Sequence, residues 1–403
     1  MTEISRPTVS PLRATIIGGL LTAIASVSMA LYTPAMPALI AAFGTTMAMI
    51  KSSLTAYFAG FALAQLVCGP LSDAYGRRPI AFAFLALYTA AGVVASLAGT
   101  VEVLIAARLV QGIGAAVGVA ISRAVVRDLF TGQDSAKVMN AIGIVLSVGP
   151  AISPTIGGLL SELLGWRAVF VAMTVFGAGA LASVYLALPE TNRTPDPGLA
   201  RPGRVVATYR TLIVDRRFLA PALALSFSVG PVYSLGTMLP FVLIDRVGLS
   251  PTAFGVGMLA QTGSFFVGGL VARRLLAVVA ADRLVLPALT LSLAGASAVL
   301  AIGVLWPASY LAVMIPVGIF AFSMALVIPA LTTAALAPFG TLAGSASALM
   351  GFLQMSAGFL GGVAATGFAD PLTGLEVVLP TMLTIGVAAG AWWRSFARAA
   401  AQA

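Results

Sequence analysis

The sequence predicts an all-α membrane protein with twelve transmembrane helices, and three observations lead to this fold class. Apolar types make up 60% of the 403 residues, whereas charged types make up only 9%. A soluble domain carries charge on about a quarter of its residues, so this chain has too little polar surface to fold as a water-soluble globule. The other two observations are the length of the apolar runs and the one-sided placement of the basic residues.

Twelve apolar runs are each long enough to cross a bilayer, whose hydrocarbon core needs about 20 helical residues. The first run follows Arg6 and Arg13 and exceeds the apolar region of a signal peptide, so we expect it to remain as the first helix. The predicted spans are 14–36, 49–70, 79–98, 101–122, 138–163, 168–188, 218–243, 252–275, 283–305, 309–333, 342–366 and 374–393.

A stretch rich in proline and arginine, Thr191–Arg217, interrupts this pattern between the sixth and seventh runs. We therefore predict an N-terminal six-helix bundle at 1–190, a cytoplasmic linker at 191–217 and a C-terminal six-helix bundle at 218–403. Within the linker, the pattern near Val205–Leu212 indicates a short amphipathic helix.

The basic residues predict the orientation of the chain in the membrane. When the N-terminus is placed inside, most Lys and Arg residues fall on the same side as the linker, as cytoplasmic loops require. Both termini then lie in the cytoplasm, which needs an even number of spans and agrees with twelve. We expect a multi-pass protein of the bacterial cytoplasmic (inner) membrane.

Composition also excludes several classes of function. The chain has no histidine and one cysteine, Cys68, so it lacks the commonest metal ligand and cannot form an intrachain disulfide. The net charge of +9 is not gathered into a basic stripe, so we expect no nucleic-acid partner. No Gly-rich loop with a lysine of the Walker type is present, and ATP-driven transport is unsupported. We expect no metal, no bound cofactor and no enzyme activity.

The connection between the second and third predicted helices reads Gly69-Pro-Leu-Ser-Asp-Ala-Tyr-Gly-Arg-Arg-Pro79. Gly69 permits close backbone approach, and Gly76 permits a tight turn. Asp73 is placed to accept hydrogen bonds from the free N–H groups that open the third helix. This segment resembles the loop 2–3 motif of the major facilitator superfamily, Gly-x-Leu-x-Asp-x-x-Gly-Arg-Arg.

The resemblance to the major facilitator superfamily covers the whole chain, because six helices followed by six is that family's plan. It implies two six-helix bundles around a central cavity that opens alternately to each side. In that family the loop acts as a conformational latch, in which its Asp and Arg meet an acidic residue at the end of helix 4. The matching residues here are Asp73, Arg77, Arg78 and Asp128.

The fourth predicted helix contains Arg108-Leu-Val-Gln-Gly-Ile-Gly114, which resembles the family's Arg-x-x-Gln-Gly-x-Gly motif. An arginine inside a membrane helix is costly and usually faces a protein interior or a wet cavity. Gln111 lies one turn on and shares the face of Arg108, which favours the cavity. An Arg108 that reaches the outer interface is the alternative. Gly112 and Gly114 suit close helix packing.

The fifth predicted helix contains the segment Gly149–Gly158, in which prolines and glycines predict a bent helix with one flat face. The segment resembles the antiporter motif of drug:proton exporters, which implies export. Its matching residues are Gly149, Pro150, Ser153, Pro154, Gly157 and Gly158.

Within the exporters, three further stretches resemble the Bcr/CflA-like branch, which confers bicyclomycin and chloramphenicol resistance. They are Tyr32–Pro37, Gln65–Asp73 and Ser122–Asp128. That branch usually has an acid in helix 1, in the pattern Met-Asp-x-Tyr-Leu-Pro, and Ala30 occupies the acid's place here.

No Asp or Glu falls centrally in any predicted span, which leaves the driving ion open. Arg108 cannot load and unload a proton because a guanidinium stays charged. The resemblance implies a proton gradient as the driving force. Coupling can run through Asp73 and Asp128, through an end acid such as Glu102, or not at all.

The expected function is secondary-active efflux of small, mostly apolar, drug-like molecules by a monomer in the lipid bilayer. Without a cavity carboxylate, Arg108 favours neutral, zwitterionic or anionic substrates. A dedicated exporter of an endogenous metabolite or siderophore, and a facilitator without proton coupling, are the alternatives; a channel suits two matched halves less well. Candidate cavity residues are Arg108, Gln111, Tyr32, Tyr57, Asn140, Tyr233, Met238, Gln261 and Gln354.

Overall fold

A computed structural model describes residues 9–305 and 309–402, and none of these residues lies in a strand. Arg6 and the rest of residues 1–8 lie outside the described residues. The α-helices are α1 Pro11–Tyr32, α2 Met36–Phe43, α3 Met47–Tyr75, α4 Arg77–Ser96, α5 Val101–Ala115, α6 Val117–Leu129, α7 Gly132–Leu164, α8 Trp166–Ala187, α9 Pro202–Val214, α10 Arg216–Pro240, α11 Pro251–Gly257, α12 Leu259–Leu275, α13 Ala281–Leu305, α14 Tyr310–Leu336, α15 Ala343–Thr366 and α16 Pro371–Gln402.

The all-α fold class and the count of twelve membrane helices are confirmed in the described residues. Twelve helical segments there are long and apolar enough to cross a membrane. Some spans join two helices across a short irregularity. Pro34 and Pro37 lack the N–H that a regular helix needs, so a 3-10 turn at Thr33–Ala35 separates α1 from α2 within the first span.

The helices pack into groups that follow the chain order. One buried apolar cluster is formed by residues of helices α1 through α6 and of α8. Two others are formed by residues of helices α10 through α16. The groups meet where α3 packs against α15 and where α7 packs against α11. The exact bounds of the predicted bundles, 1–190 and 218–403, stay a prediction.

The linker packs against the ends of the helices. It contains a 3-10 turn at Pro197–Ala200 and then α9, which is longer than the predicted Val205–Leu212 because Pro202 suits the first position of a helix. Leu212 is buried, whereas Val206 and Val214 are exposed. We call the end of the bundle that carries the α3–α4 turn and the linker the linker end, and the opposite end the far end.

Candidate functional site

At the linker end, Arg77 joins α4 to two carboxylates. Its guanidinium forms an ion pair with Asp73 on α3, and its Nε lies 3.1 Å from Asp128 Oδ2 on α6. It also donates to Ser72 Oγ at 2.7 Å. Only 6% of the Arg77 side chain is exposed, so these contacts satisfy a nearly buried charge. The structure therefore brings together Asp73, Arg77 and Asp128, the three residues that the loop motif predicted to meet.

The expected cap of α4 by Asp73 is wrong, because Glu190 supplies it. Glu190 accepts from the backbone N–H groups of Arg77 and Arg78 at 2.9 and 3.1 Å. Since α3 continues to Tyr75, Asp73 sits in its last turn, and its carboxylate reaches the Arg77 guanidinium instead. Gly76 makes the turn at φ +102°, as predicted.

Two further predictions about this turn are corrected. Arg78 lies outside the cluster: its NH2 donates to the Tyr185 carbonyl at 2.8 Å, on the outer side of α8. Gly69 does not mediate close approach, since a Cβ atom there would meet nothing within 4 Å.

Arg108 is enclosed within the first group of helices. It has no exposed surface, and its guanidinium lies 4.6 Å from the ring centroid of Tyr32 and 4.4 Å from that of Tyr57. Its NH1 donates to Gln111 Oε1 at 2.6 Å. Its Nε and NH2 have no hydrogen-bond partner among the described residues. Arg108 thus faces the protein interior, and neither the cavity nor the outer interface.

The predicted flat face of the fifth span is present on α7. A Cβ atom at Gly157 would overlap the Leu31 carbonyl of α1, and one at Gly158 would overlap the Pro251 carbonyl of α11. Ser153 Oγ donates to the Gly149 carbonyl one turn before it, at 2.6 Å. The small residues therefore let α7 touch two helices at backbone distance.

These contacts close the far end of the molecule. The contact is mutual, because Gly255 of α11 also lies against the backbone of Pro154 of α7. Pro150 lies one helical turn before Pro154. Glu162 Oε2 accepts from the N–H of Thr252 at 3.0 Å, at the N-terminus of α11. The far end is thus sealed between α7 and α11.

A second far-end contact involves a buried lysine. Lys51 of α3 is 1% exposed, and its Nζ donates to the Ala365 carbonyl at the C-terminal end of α15, at 3.1 Å. The Phe241 ring centroid lies 5.8 Å from the same nitrogen. An ammonium at the end of a helix is favoured by the partial negative charge of the last carbonyls. Lys51 therefore joins α3 to α15 at the far end.

A cavity of about 520 Å³ lies between the two groups of helices. Its walls come from α1, α3, α4, α6, α7, α10 and α15. They run from Met29 and Tyr57 to Asp73 and Arg127 at the linker end. Phe58, Phe61 and Met355 give it an apolar interior, as small-molecule sites usually have. Among the described residues, no group of metal-ligating side chains is placed to hold an ion.

The cavity contains three of the nine predicted cavity residues: Tyr57, Tyr233 and Gln354. Their role in substrate binding stays a prediction. The remaining six are not among the lining residues: Arg108, Gln111, Tyr32, Asn140, Met238 and Gln261.

Four of these six side chains are buried in the packed interior, and the other two lie on helix faces away from the cavity. Arg108, Gln111 and Tyr32 form one buried group, in which the Tyr32 hydroxyl lies 2.5 Å from Ser53 Oγ. Met238 is fully buried in the core of the second half. Asn140 is exposed on α7, and Gln261 is half-buried on α12, a helix that gives no lining residue.

Sequence reasoning missed Arg123 and Gln65 as lining residues and Lys51 as a far-end contact. A signal exists for the first two, because lining positions on one helix recur about every four residues. Tyr57, Phe61 and Gln65 follow this spacing on α3. The spacing identifies a face, but the sequence does not indicate which face meets the cavity.

Comparisons with known proteins agree with this architecture. A family profile described as "Major Facilitator Superfamily" matches residues 18–362. The chain is 29% identical over 369 residues to "Uncharacterized MFS-type transporter YdgK" of Bacillus subtilis (strain 168), covering 89% of this chain and 87% of that one. It is 28% identical over 377 residues to "Multidrug resistance protein D" of Escherichia coli (strain K12), covering 89% and 92%.

A solved structure shows the same fold at low sequence identity. It is the crystal structure of a bacterial homologue of the human lysosomal transporter Spinster in an inward-facing, unoccupied conformation. The TM-score is 0.72 and the identity 18%, over 96% of each chain. Because the family profile spans most of this sequence, the chain is a multi-pass membrane transporter that belongs to the Major Facilitator Superfamily.

Proposed function

We propose that this transporter exports small, mostly apolar neutral, zwitterionic or anionic compounds by alternating access, driven by the proton gradient. One observation carries the proposal. The cavity between the two groups of helices reaches partly exposed side chains at the linker end, while backbone contacts close the far end. This is the geometry of one half of a transport cycle, in which a substrate enters from the side of the linker.

The direction of transport rests on the residues of the fifth span and on relatives. The segment Gly149–Gly158 resembles the antiporter motif, and one full-length relative is called a multidrug resistance protein. Together with the stretches that resemble the Bcr/CflA-like branch, these support drug export. The basic residues of the linker end support its placement in the cytoplasm of a bacterial inner membrane.

Proton coupling is proposed to run through the Asp73–Arg77–Asp128 cluster. Asp73 is the carboxylate among the described cavity-lining residues, and 41% of its side chain is exposed. Water in the cavity can therefore reach it, while Arg77 offers a competing positive charge. Loss of the Asp73 charge would remove its ion pair with Arg77, which joins the last turn of α3 to the first residue of α4.

Reconstitution into proteoliposomes tests the proposal. The protein is given an imposed pH gradient and a panel of neutral, zwitterionic, anionic and cationic aromatic compounds, and internal pH and compound uptake are followed together. We expect uptake of compounds of the first three classes with a linked proton flux in the opposite direction. Preferred transport of lipophilic cations would contradict the proposed substrate range.

The same experiment separates the two alternatives. Transport that equilibrates a compound without proton flux would indicate a facilitator. Transport of a single endogenous metabolite or siderophore, with no response to the rest of the panel, would indicate a dedicated exporter.

A further inference from the structure

The charged side chains that line the cavity differ in whether an opposite charge lies close to them. Among the residues that the structure describes, four charged side chains line it: Asp73, Arg77, Arg123 and Arg127. Asp73 and Arg77 form an ion pair, and Arg127 Nε lies 4.0 Å from Asp128 Oδ1. Arg123 has no carboxylate within 4.0 Å among the described residues, so it is the uncompensated cation of the cavity wall.

The surroundings of Arg123 suit an anion. Its NH1 donates to Ser347 Oγ of α15 at 3.0 Å, which leaves further N–H donors of the guanidinium for a ligand. The residues at the start of α15 that line the cavity, Ala343, Gly344 and Ser345, are small, and the first turn of α15 carries no acid. A helix begins with partial positive charge, so this end of α15 adds to the positive potential at the mouth.

We propose that Arg123 and Ser347 form an anion subsite at the linker-end mouth of the cavity, which binds the acid group of an amphiphilic organic carboxylate. This inference rests on the proposed function and narrows its substrate range. The guanidinium can hold a carboxylate through two parallel hydrogen bonds. The apolar body of the same molecule then lies against Phe58, Phe61 and Met355.

A second observation points to a ligand in the same cavity. Gln65 lines the cavity and is 9% exposed, and its Oε1 is buried without a hydrogen-bond partner among the described residues. A buried acceptor left unpaired is costly. A ligand N–H or O–H group that reaches Gln65 would remove this cost. The expected occupant therefore carries a donor on its body as well as an acid group.

A singly charged oxyanion can come from a dissolved carboxylate or from the phosphate of an anionic lipid. We commit to the dissolved carboxylate, because Phe58, Phe61 and Met355 offer room for one compact apolar body inside a cavity of about 520 Å³. A lipid with two acyl chains would exceed that volume.

Binding measurements on the purified full chain in phosphatidylcholine nanodiscs test the subsite. The probes are aryl carboxylates, each paired with its neutral primary amide, with dansylglycine and dansylglycinamide among them. We expect the wild type to bind carboxylates more tightly than their amides. Arg123→Gln should weaken carboxylate binding by about tenfold or more and leave amide binding within about twofold. Arg123→Lys should retain part of the preference, since it keeps the charge but not the paired donors.

Arg210→Gln is the matched control, because it makes the same change of charge at an exposed position of the linker helix α9 that does not line the cavity. It should retain most of the preference for carboxylates. The inference is overturned if no carboxylate in the panel binds more tightly than its amide, or if Arg123→Gln weakens both members of a pair equally. Loss of carboxylate binding when phosphatidylglycerol is added, in the wild type but not in Arg123→Gln, would assign the subsite to a lipid and overturn the choice of a dissolved carboxylate.

Failure of this inference is distinguishable from failure of the proposed function. If an imposed pH gradient still drives transport of the neutral amides into proteoliposomes, but carboxylates are not preferred, only the anion subsite is rejected. If they transport no member of the panel, the proposed function itself is rejected.

Discussion

Two buried cations, Arg108 and Lys51, show how single residues use the interior of this transporter. Arg108 lies between the faces of Tyr32 and Tyr57, which attract a cation through their ring electrons. Such contacts are worth about 2 kcal/mol or more when water is excluded. They hold the guanidinium inside the first group of helices, and Tyr57 lines the cavity whereas Arg108 does not. In the proposed anion subsite, the charge therefore comes from Arg123 and not from Arg108.

Lys51 is held differently, because it lies at a contact between the two halves. In the described residues its ammonium has no carboxylate within 4.0 Å, and it depends on the Ala365 carbonyl for a hydrogen bond. In the proposed transport cycle, separation of α3 and α15 at the far end would hydrate this ammonium. Its desolvation therefore opposes closure of the far end, while its hydrogen bond favours it.

Substituting Lys51→Met tests that balance. A methionine of similar length removes the desolvation cost, so we expect the closed far end to gain about 1 kcal/mol or more and turnover to fall. Spin labels at Ala42 and Ala369, in a Cys68→Ala background, measure the far-end separation. A larger open population in Lys51→Met would show that the hydrogen bond outweighs the desolvation.

At the scale of elements, a proline inside α3 leaves a backbone carbonyl without its helical partner, and the linker supplies a hydrogen bond to it. Pro70 has no N–H, so the carbonyl of Leu66 one turn earlier loses its helical partner. The hydroxyl of Tyr209 on α9 donates to that carbonyl at 2.6 Å. The linker helix is thereby fixed to the helix that carries Asp73. Burial raises the pKa of the Tyr209 hydroxyl, so it remains a proton donor throughout the neutral range.

Tyr209→Phe removes only this hydroxyl and leaves the Leu66 carbonyl unpaired. We expect a loss of about 1–3 kcal/mol in the free energy of unfolding and no change of that loss with pH across the neutral range. Fluorescence-detected unfolding in detergent measures it. Tyr185→Phe, on an exposed tyrosine, serves as the control and should change stability by less than about 0.5 kcal/mol. Equal effects of the two substitutions would argue against the linker contact.

The α7–α11 contact gives a second prediction for an element. A Cβ atom in Gly158→Ala would overlap the Pro251 carbonyl, and overpacking of this kind costs about 1–3 kcal/mol. We expect the far end to shift toward its open state by about tenfold or more. The same pair of spin labels detects the shift. Gly179→Ala on α8, where a Cβ atom meets nothing within 4 Å, should leave the distance unchanged.

At the scale of the whole molecule, the Asp73–Arg77–Asp128 cluster joins the linker ends of α3, α4 and α6. Asp73→Asn keeps the shape of the side chain and removes its charge, so the ion pair that holds α3 to α4 is lost. We expect turnover in proteoliposomes to fall by about tenfold or more while substrate binding to purified protein is retained. Asp134→Asn, in an exposed pair with Lys137, should transport normally. Full transport by Asp73→Asn would show that transport does not require the cluster.

Much of the candidate site could be predicted from local sequence, and the remainder could not. Gly76, Asp73 and Arg77 lie within one turn of each other, so their motif fixes their proximity. Arg108 shows the limit of that reasoning: hydropathy identifies it as a cation inside a membrane helix, but not which face of α5 meets the cavity. Glu190 lies far along the chain from α4, and no local pattern indicates that it caps that helix.

The sequence by itself determined that lipid surrounds much of the chain, how many spans cross the membrane, and that α7 has a face of glycine and proline. These properties depend on composition and on neighbours along one helix. Tertiary structure alone decided that Arg123 faces the cavity while Arg108 is enclosed, and that Lys51 meets Ala365. The physical reason is rotation: a helix presents a new residue every 100° or so around its axis, and packing against other helices selects which residues meet the cavity.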